Sequence, residues 1–207
     1  MSIAPKEGRT NAVTDNADYD AVVVGAGFGG LYMLHKLRDE LALKVCIFDR
    51  AGDSAGGGLC TTVLLSMRDQ ALALPAAGMP MSPWYDMELA GQSIRTNAAK
   101  DELVQAGILQ SMAGLFLGDA SPQHPLANLL YSVLEGLPPL YIQVGGDETL
   151  LDDSVRFAAL ANKVELEIKL DVFPEMQHVF HFLAGAAPEA DEAINKMAEW
   201  VRPKLQL

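Results

Sequence analysis

Apolar and polar positions along this chain alternate between two rhythms. The short, fully apolar run Ala21-Val22-Val23-Val24 has the form of a strand buried on both faces, and the largely apolar stretches Leu43–Phe48 and Leu140–Val144 are expected as strands too. Helical spacing takes over between them. Leu31, Met33, Leu34 and Leu37 fall on one side of a helix reaching about Glu40, and further helices are expected at 54–70, 150–161 and 189–201. Pro188 opens the last of these, since proline suits a first helical turn. Two more strands are expected, at 74–81 despite Pro75 and Pro80, and at 165–172. Residues 87–138 are the least regular, with short helices expected at 100–106 and 110–116 on either side of Gly107. The pattern predicts an α/β domain with a mainly parallel sheet of about five strands in sequential order. Right-handed crossovers progressing one way share a face, which leaves the closing helix for the opposite face.

Composition narrows the class. The 207 residues are half apolar and one fifth charged, as in a globular chain able to bury a sizeable core. They read as a single domain over 1–207: a lead-in at 1–17, a strand–helix–strand unit at 18–51 and the remainder at 52–207. A net charge of −12 without a basic cluster argues against nucleic acid or an anionic membrane as partner. Residues 1–16 lack a signal peptide's apolar core, and no run reaches the roughly 18 apolar residues of a membrane span, so a cytoplasmic location is expected. Cys46 and Cys60 then read as free thiols, Cys46 buried in its strand.

The chemistry concentrates at Gly52-Asp53-Ser54-Ala55-Gly56, a G-x-S-x-G nucleophile elbow between an expected strand and an expected helix. Such a turn lifts the serine hydroxyl clear of the sheet at a helix N-terminus. A serine needs a base to take its proton and a carboxylate to orient that base. Loops after later strands supply both at the same sheet edge. Gly145-Gly146-Asp147-Glu148 follows one strand, and Phe173-Pro174-Glu175-Met176-Gln177-His178 follows the next. The order Ser54, Asp147, His178 is the nucleophile–acid–base order of an α/β hydrolase. Asp152 and Asp153 lie a turn into the following helix and read as solvated N-terminal charges. His181 competes with His178 but comes later in the loop, and His35 and His124 read as surface residues. Met79, Met81, Trp84 and Tyr85 are open between substrate contact and core.

From about 52 to 207 the chain resembles the bacterial hormone-sensitive-lipase-like esterases. The resemblance is carried by Gly-Asp-Ser-Ala-Gly-Gly at 52–57, Ser-Pro-Trp at 82–84 with Asp86, and Pro-Leu at 125–126. Leu-Pro-Pro-Leu at 137–140, Gly-Gly-Asp-Glu-Thr-Leu-Leu-Asp-Asp-Ser at 145–154 and Glu-Met-Gln-His-Val-Phe at 175–180 continue it. It implies a carboxylic-ester hydrolase with Ser54 as nucleophile, Asp147 as acid and His178 as base, requiring no metal or organic cofactor.

Residues 19–53 resemble a different family, the Baeyer–Villiger flavin monooxygenases. Asp20 through Tyr32 spans the glycine loop Gly25-Ala26-Gly27-Phe28-Gly29-Gly30, and Lys36–Glu40, Lys44-Val45 and Phe48-Asp49 follow. In that family the glycines let the backbone reach a pyrophosphate and an acid, here Asp49, binds ribose. Between two strands this is a strong signal for the local fold and a weak one for flavin, so Gly25, Gly27, Gly30 and Asp49 read as vestigial and no cofactor is expected. The chain looks like a chimera. Against the esterase pattern it lacks the cap, the early strands and the His-Gly-Gly-Gly oxyanion loop. The Ala55 N–H supplies one oxyanion donor, and Gly27, Phe28 or Gly29 could supply the second, because both tasks need exposed N–H groups near a helix N-terminus.

The reading is hydrolysis of small uncharged esters through an acyl-Ser54 intermediate. A catalytically silent fusion product and an FAD- or NAD-binding fragment are the alternatives. A homodimer is expected, covering an apolar patch on the sheet face opposite the crossover helices.

Overall fold

The structure is a computed structural model, describing the backbone of residues 21–24, 45–48 and 53–205 and the side chains of 56–205. The lead-in, the Gly25–Gly30 loop, Asp49 and the side chains of Cys46, Ser54 and Ala55 lie outside the described residues.

Strands β1 (Ala21–Val24) and β2 (Val45–Phe48) pair in parallel, Ala21 opposite Val45 and Val24 opposite Phe48. Helix α1 (Asp53–Asp69) follows and runs beside β1. Two helices, α2 (Ser93–Thr96) and α3 (Ala106–Leu117), occupy the irregular middle. Then come β3 (Leu140–Gly145), α4 (Leu151–Lys163), β4 (Ile168–Phe173) and α5 (Pro188–Val201). β3 and β4 pair in parallel, Leu140 opposite Ile168 and Gly145 opposite Phe173.

The sheet departs from five continuous strands. Among the described residues there are four strands in two separate pairs, β1-β2 and β3-β4. The segment expected as the middle strand touches β3 only through parallel bridges at Gly78–Leu140 and Met81–Gln143. Pro80 lies between those bridges without an N–H to donate, so the ladder cannot run through it. The irregular region differs too. The two short helices expected at 100–106 and 110–116 are replaced by one, α3, which carries Gly107 in its first turn. Residues 101–104 instead form a turn in which the Asp101 carboxylate accepts from the N–H groups of Leu103 and Val104 at 3.0 and 2.8 Å.

Alternation along β3 builds the core. Leu140 and Ile142 face Leu64 and Leu65 of α1 and Phe157 and Ala161 of α4. Tyr141 points the other way, onto Ile194, Met197 and Val201 of α5. Helices α1 and α4 thus share one face and α5 covers the other, as right-handed crossovers require. Every residue of β3 is buried, as in a strand covered on both sides. Among the described residues no helix is long and apolar enough to cross a membrane.

Candidate active site

Four residues separate the end of β2 from the start of α1, and Ser54 stands in the first turn of that helix, as the elbow requires. The glycines that follow are dictated by close approach. A Cβ on Gly57 would lie 2.5 Å from the Met81 carbonyl oxygen and 2.8 Å from the Cα of Pro83, and one on Gly58 2.5 Å from the Trp84 carbonyl oxygen. Helix α1 therefore rests directly on the 81–84 backbone.

A second close approach joins the two loops that carry the other polar groups. A Cβ on Gly145 would stand 2.2 Å from the Met176 carbonyl oxygen. The Gly146 N–H donates to the Phe173 carbonyl at 2.7 Å, and the Asp147 N–H to that of Met176 at 3.2 Å. The loop after β3 is thereby laced to the loop after β4.

This lacing brings Glu148, not Asp147, to His178. Glu148 Oε2 accepts from His178 Nδ1 at 2.8 Å, and both side chains are buried. A carboxylate only accepts, so the ring proton sits on Nδ1 and Nε2 carries the lone pair. His178 Nε2 is buried and has no hydrogen-bond partner among the described residues. The other Glu148 oxygen, Oε1, accepts from the Ser82 hydroxyl at 2.6 Å and the Gly145 N–H at 2.5 Å. Asp147 lies at the rim, paired with the exposed Lys100 at 2.8 Å. With the 145–148 turn pressed against Phe173 and Met176, Glu148 is buried while Asp147 is not.

The competing groups separate by burial. His181 is buried, with Nε2 bonded to Gln143 Oε1 at 3.0 Å and its ring stacked on Phe180 at 4.2 Å. Burial, reinforced by neighbouring His178, lowers its pKa to about 3, so it stays neutral. Asp152 and Asp153 depart from the expectation of solvated charges. Asp152 accepts from the Ser93 N–H at 3.0 Å. Asp153 is buried, and one of its oxygens accepts from the N–H groups of both Tyr85 and Asp86 at 2.8 Å. Burial lifts its pKa to about 7. Asp86 is also buried. Desolvation pushes its pKa up, but Arg156 and the N–H groups of Glu88 and Ala90 outweigh that and hold it below the ordinary range. Cys60 is buried and free, its thiol pushed up to about 11 and so protonated and unreactive. His124 is exposed, as expected.

The four open residues divide. Tyr85 is core, its ring 4.4 Å from that of Phe157 and its hydroxyl 2.8 Å from Thr61 Oγ1. Met79 and Met81 pack around Tyr141 on the α5 side. Trp84 lines a cavity of about 350 Å³ together with Gly58, Leu59, Met87, Met112 and Phe116. No charged residue lines it among the described residues, and it begins one helical turn beyond Ser54. The sequence reading gave no role to Glu148 or Ser82 and took Asp153 as solvated. The only signal for Glu148 was its place beside Asp147 in the same loop.

Known proteins agree with this architecture. The α/β-hydrolase fold family matches residues 22–182, so the chain belongs to that family. An acetyl-hydrolase of Streptomyces hygroscopicus is 40% identical over 152 residues, 73% of this chain and 51% of that protein. A crystal structure of an esterase from the bacterial hormone-sensitive lipase family superposes with a TM-score of 0.73 at 42% identity, covering 78% of this chain and 54% of the other. The cyclohexanone 1,2-monooxygenase of an Acinetobacter species is 59% identical over 44 residues, 21% of this chain and 8% of that enzyme. The chain spans about half the length of the curated hydrolases it matches.

Proposed function

We propose that this chain hydrolyses small uncharged carboxylic esters through an acyl-Ser54 intermediate, with His178 as base and Glu148 as the carboxylate that orients it. The observation carrying this reading is the buried pair Glu148 Oε2–His178 Nδ1 at 2.8 Å, which leaves a lone pair on a Nε2 that has no partner among the described residues. Ser54 attacks the ester carbonyl carbon while Nε2 takes its proton. The tetrahedral intermediate then collapses, and His178 returns the proton to the departing alkoxide. Water repeats the sequence on the acyl-serine and releases the acid. Glu148 stabilises the imidazolium formed in both halves and itself stays ionised.

Family membership and the acetyl-hydrolase and esterase names of the relatives support this reaction class. The uncharged cavity beside α1 suits an uncharged substrate group. For the oxyanion, the Ala55 N–H serves as one donor and an N–H of Gly27, Phe28 or Gly29 as the other. The parallel β1–β2 pair supports a β-α-β crossover of the kind that places a glycine loop at the strands' carboxyl edge, and the monooxygenase likeness supports a chimeric origin for that unit. The test is short-chain p-nitrophenyl ester turnover and fluorophosphonate labelling of the purified chain. Both occur in the parent protein and both are lost in Ser54→Ala. Full activity in that variant overturns the proposal.

A further inference from the structure

Two residues without glycine's freedom adopt the left-handed backbone conformation beside the Glu148–His178 pair: Ser82 at φ 44° and Val179 at φ 49°. For a β-branched residue such as Val179 this is a true outlier, and such strain persists only where the surroundings enforce it. The two residues are bonded to each other, the Val179 N–H donating to Ser82 Oγ at 3.0 Å. The same hydroxyl donates to Glu148 Oε1 at 2.6 Å, and Ser82 is fully buried. Its own N–H donates to the Gln143 carbonyl of β3 at 2.8 Å. One side chain therefore holds the carboxylate and, through the next residue, the histidine that the carboxylate orients.

We infer that Ser82 is a positioning residue that locks Glu148 and His178 into register. This rests on the reading of those two side chains as acid and base. The physical case is one of satisfaction. Carboxylate Oε1 has two donors, Ser82 and Gly145, which leaves Oε2 aimed at the ring. Without the hydroxyl, Oε1 keeps only the Gly145 N–H, and the carboxyl group loses one of the three hydrogen bonds that fix its orientation. The Val179 N–H is orphaned in the same step, so the strained turn that presents His178 loses its tether. A hydrogen bond to a charged group is among the stronger ones in a folded chain, and a buried donor left without an acceptor adds to the loss.

The variants separate hydroxyl from backbone shape. Ser82→Gly permits the left-handed conformation and lacks the hydroxyl; Ser82→Ala lacks the hydroxyl and keeps the strain; Ser82→Cys keeps a weak donor. Expected is a fall in kcat of about 10- to 100-fold in both the glycine and alanine variants, with KM little changed and the cysteine variant intermediate. A readout independent of turnover is the downfield proton resonance of His178 Nδ1, assigned by its loss in His178→Ala. It exchanges slowly in the parent protein and broadens or disappears in Ser82→Gly. An unchanged resonance with parental kcat in Ser82→Gly overturns the inference. If no variant or parent turns over ester at all, the proposed reaction fails, while the resonance still reports on whether Ser82 holds the pair.

Discussion

Ser82 and Val179 are 97 positions apart, yet a single 3.0 Å hydrogen bond joins two left-handed residues on loops that belong to different strands. The contact shows how the candidate site is assembled. The 81–84 segment forms its floor, against which α1 rests at Gly57 and Gly58, and the loops after β3 and β4 close over it through Gly145. None of these elements alone contains a working pair of groups.

The acid assignment is open to direct measurement. Glu148→Gln is expected to lower kcat by about 10³- to 10⁴-fold, since an amide can no longer stabilise the imidazolium. Asp147→Asn breaks only an ion pair with the exposed Lys100 and is expected to change kcat less than about threefold. The reverse ranking in steady-state ester kinetics would return the role to Asp147.

The two histidines should fail in different ways. His178→Ala is expected to abolish turnover by removing the proposed base, and to cost stability as well by leaving the buried Glu148 Oε2 without its donor. His181→Ala orphans Gln143 Oε1 and opens a hole beside Phe180. A loss of about 2–4 kcal/mol in urea unfolding is expected, with substantial kcat retained at low temperature. A parental unfolding midpoint in His181→Ala would refute the structural role.

Stability should carry two opposed pH dependences. Asp153, raised from 3.8 to about 7, contributes stability that is full below about pH 4 and is lost as pH rises through 7. His181, lowered from 6.5 to about 3, contributes stability that is present above 6.5 and is lost as pH falls toward 3. Between about pH 4 and 6.5 the slopes offset. Asp153→Asn can still accept from the Tyr85 and Asp86 N–H groups, so it should fold at neutral pH but become acid-labile across that window. Denaturant midpoints against pH check this, and a profile parallel to the parent's would count against it.

The glycine loop carries the oxyanion proposal. Bulky replacement of Gly27 is expected to lower kcat by about 10²-fold or more, the usual effect of losing one oxyanion donor, with KM little altered. Should kcat survive that change, or an experimental structure place residues 27–29 more than about 10 Å from Ser54, the donor must be sought elsewhere.

Assembly should follow the apolar surface, which differs in place from the sequence expectation. The described face of β3 opposite α1 and α4 is covered by α5, whereas Leu103, Ile108, Met112, Leu115 and Phe116 are exposed on and beside α3. Helix α3 has no charged residue, so two copies can meet there without like-charge contact in a chain of net charge −12. We propose a homodimer through the Leu103, Ile108 and Leu115 part of this surface, away from the cavity that Met112 and Phe116 line, dissociated by Ile108→Glu with Leu115→Glu in light scattering at micromolar concentration. A parent mass near 22.2 kDa under the same conditions would show a monomer.

Local pattern alone determined a good deal here. Short, largely apolar runs marked β1, β2 and β3, helical spacing marked α1, α4 and α5, and the right-handed crossover rule placed α1 and α4 on one face with α5 on the other. The Gly-Asp-Ser-Ala-Gly-Gly word placed Ser54 in the first turn of a helix after a strand, because only such glycines tolerate the approach of the 81–84 backbone. His178, which the structure seats against Glu148, could be named as a candidate from its place after the last strand. The choice between Asp147 and Glu148 could not be made this way, for the two are adjacent carboxylates in the same loop. It depends on which side chain the 145–148 turn directs inward once Gly145 is pressed against Met176, a contact between residues 31 positions apart. Burial decided the same question for Asp153, which helix position alone marks as solvated, and for Ser82, whose part in the site depends on neighbours 66 and 97 positions away. Periodicity reports which way a side chain faces within a regular element. In tight turns no period exists, and only tertiary contact selects the inward residue.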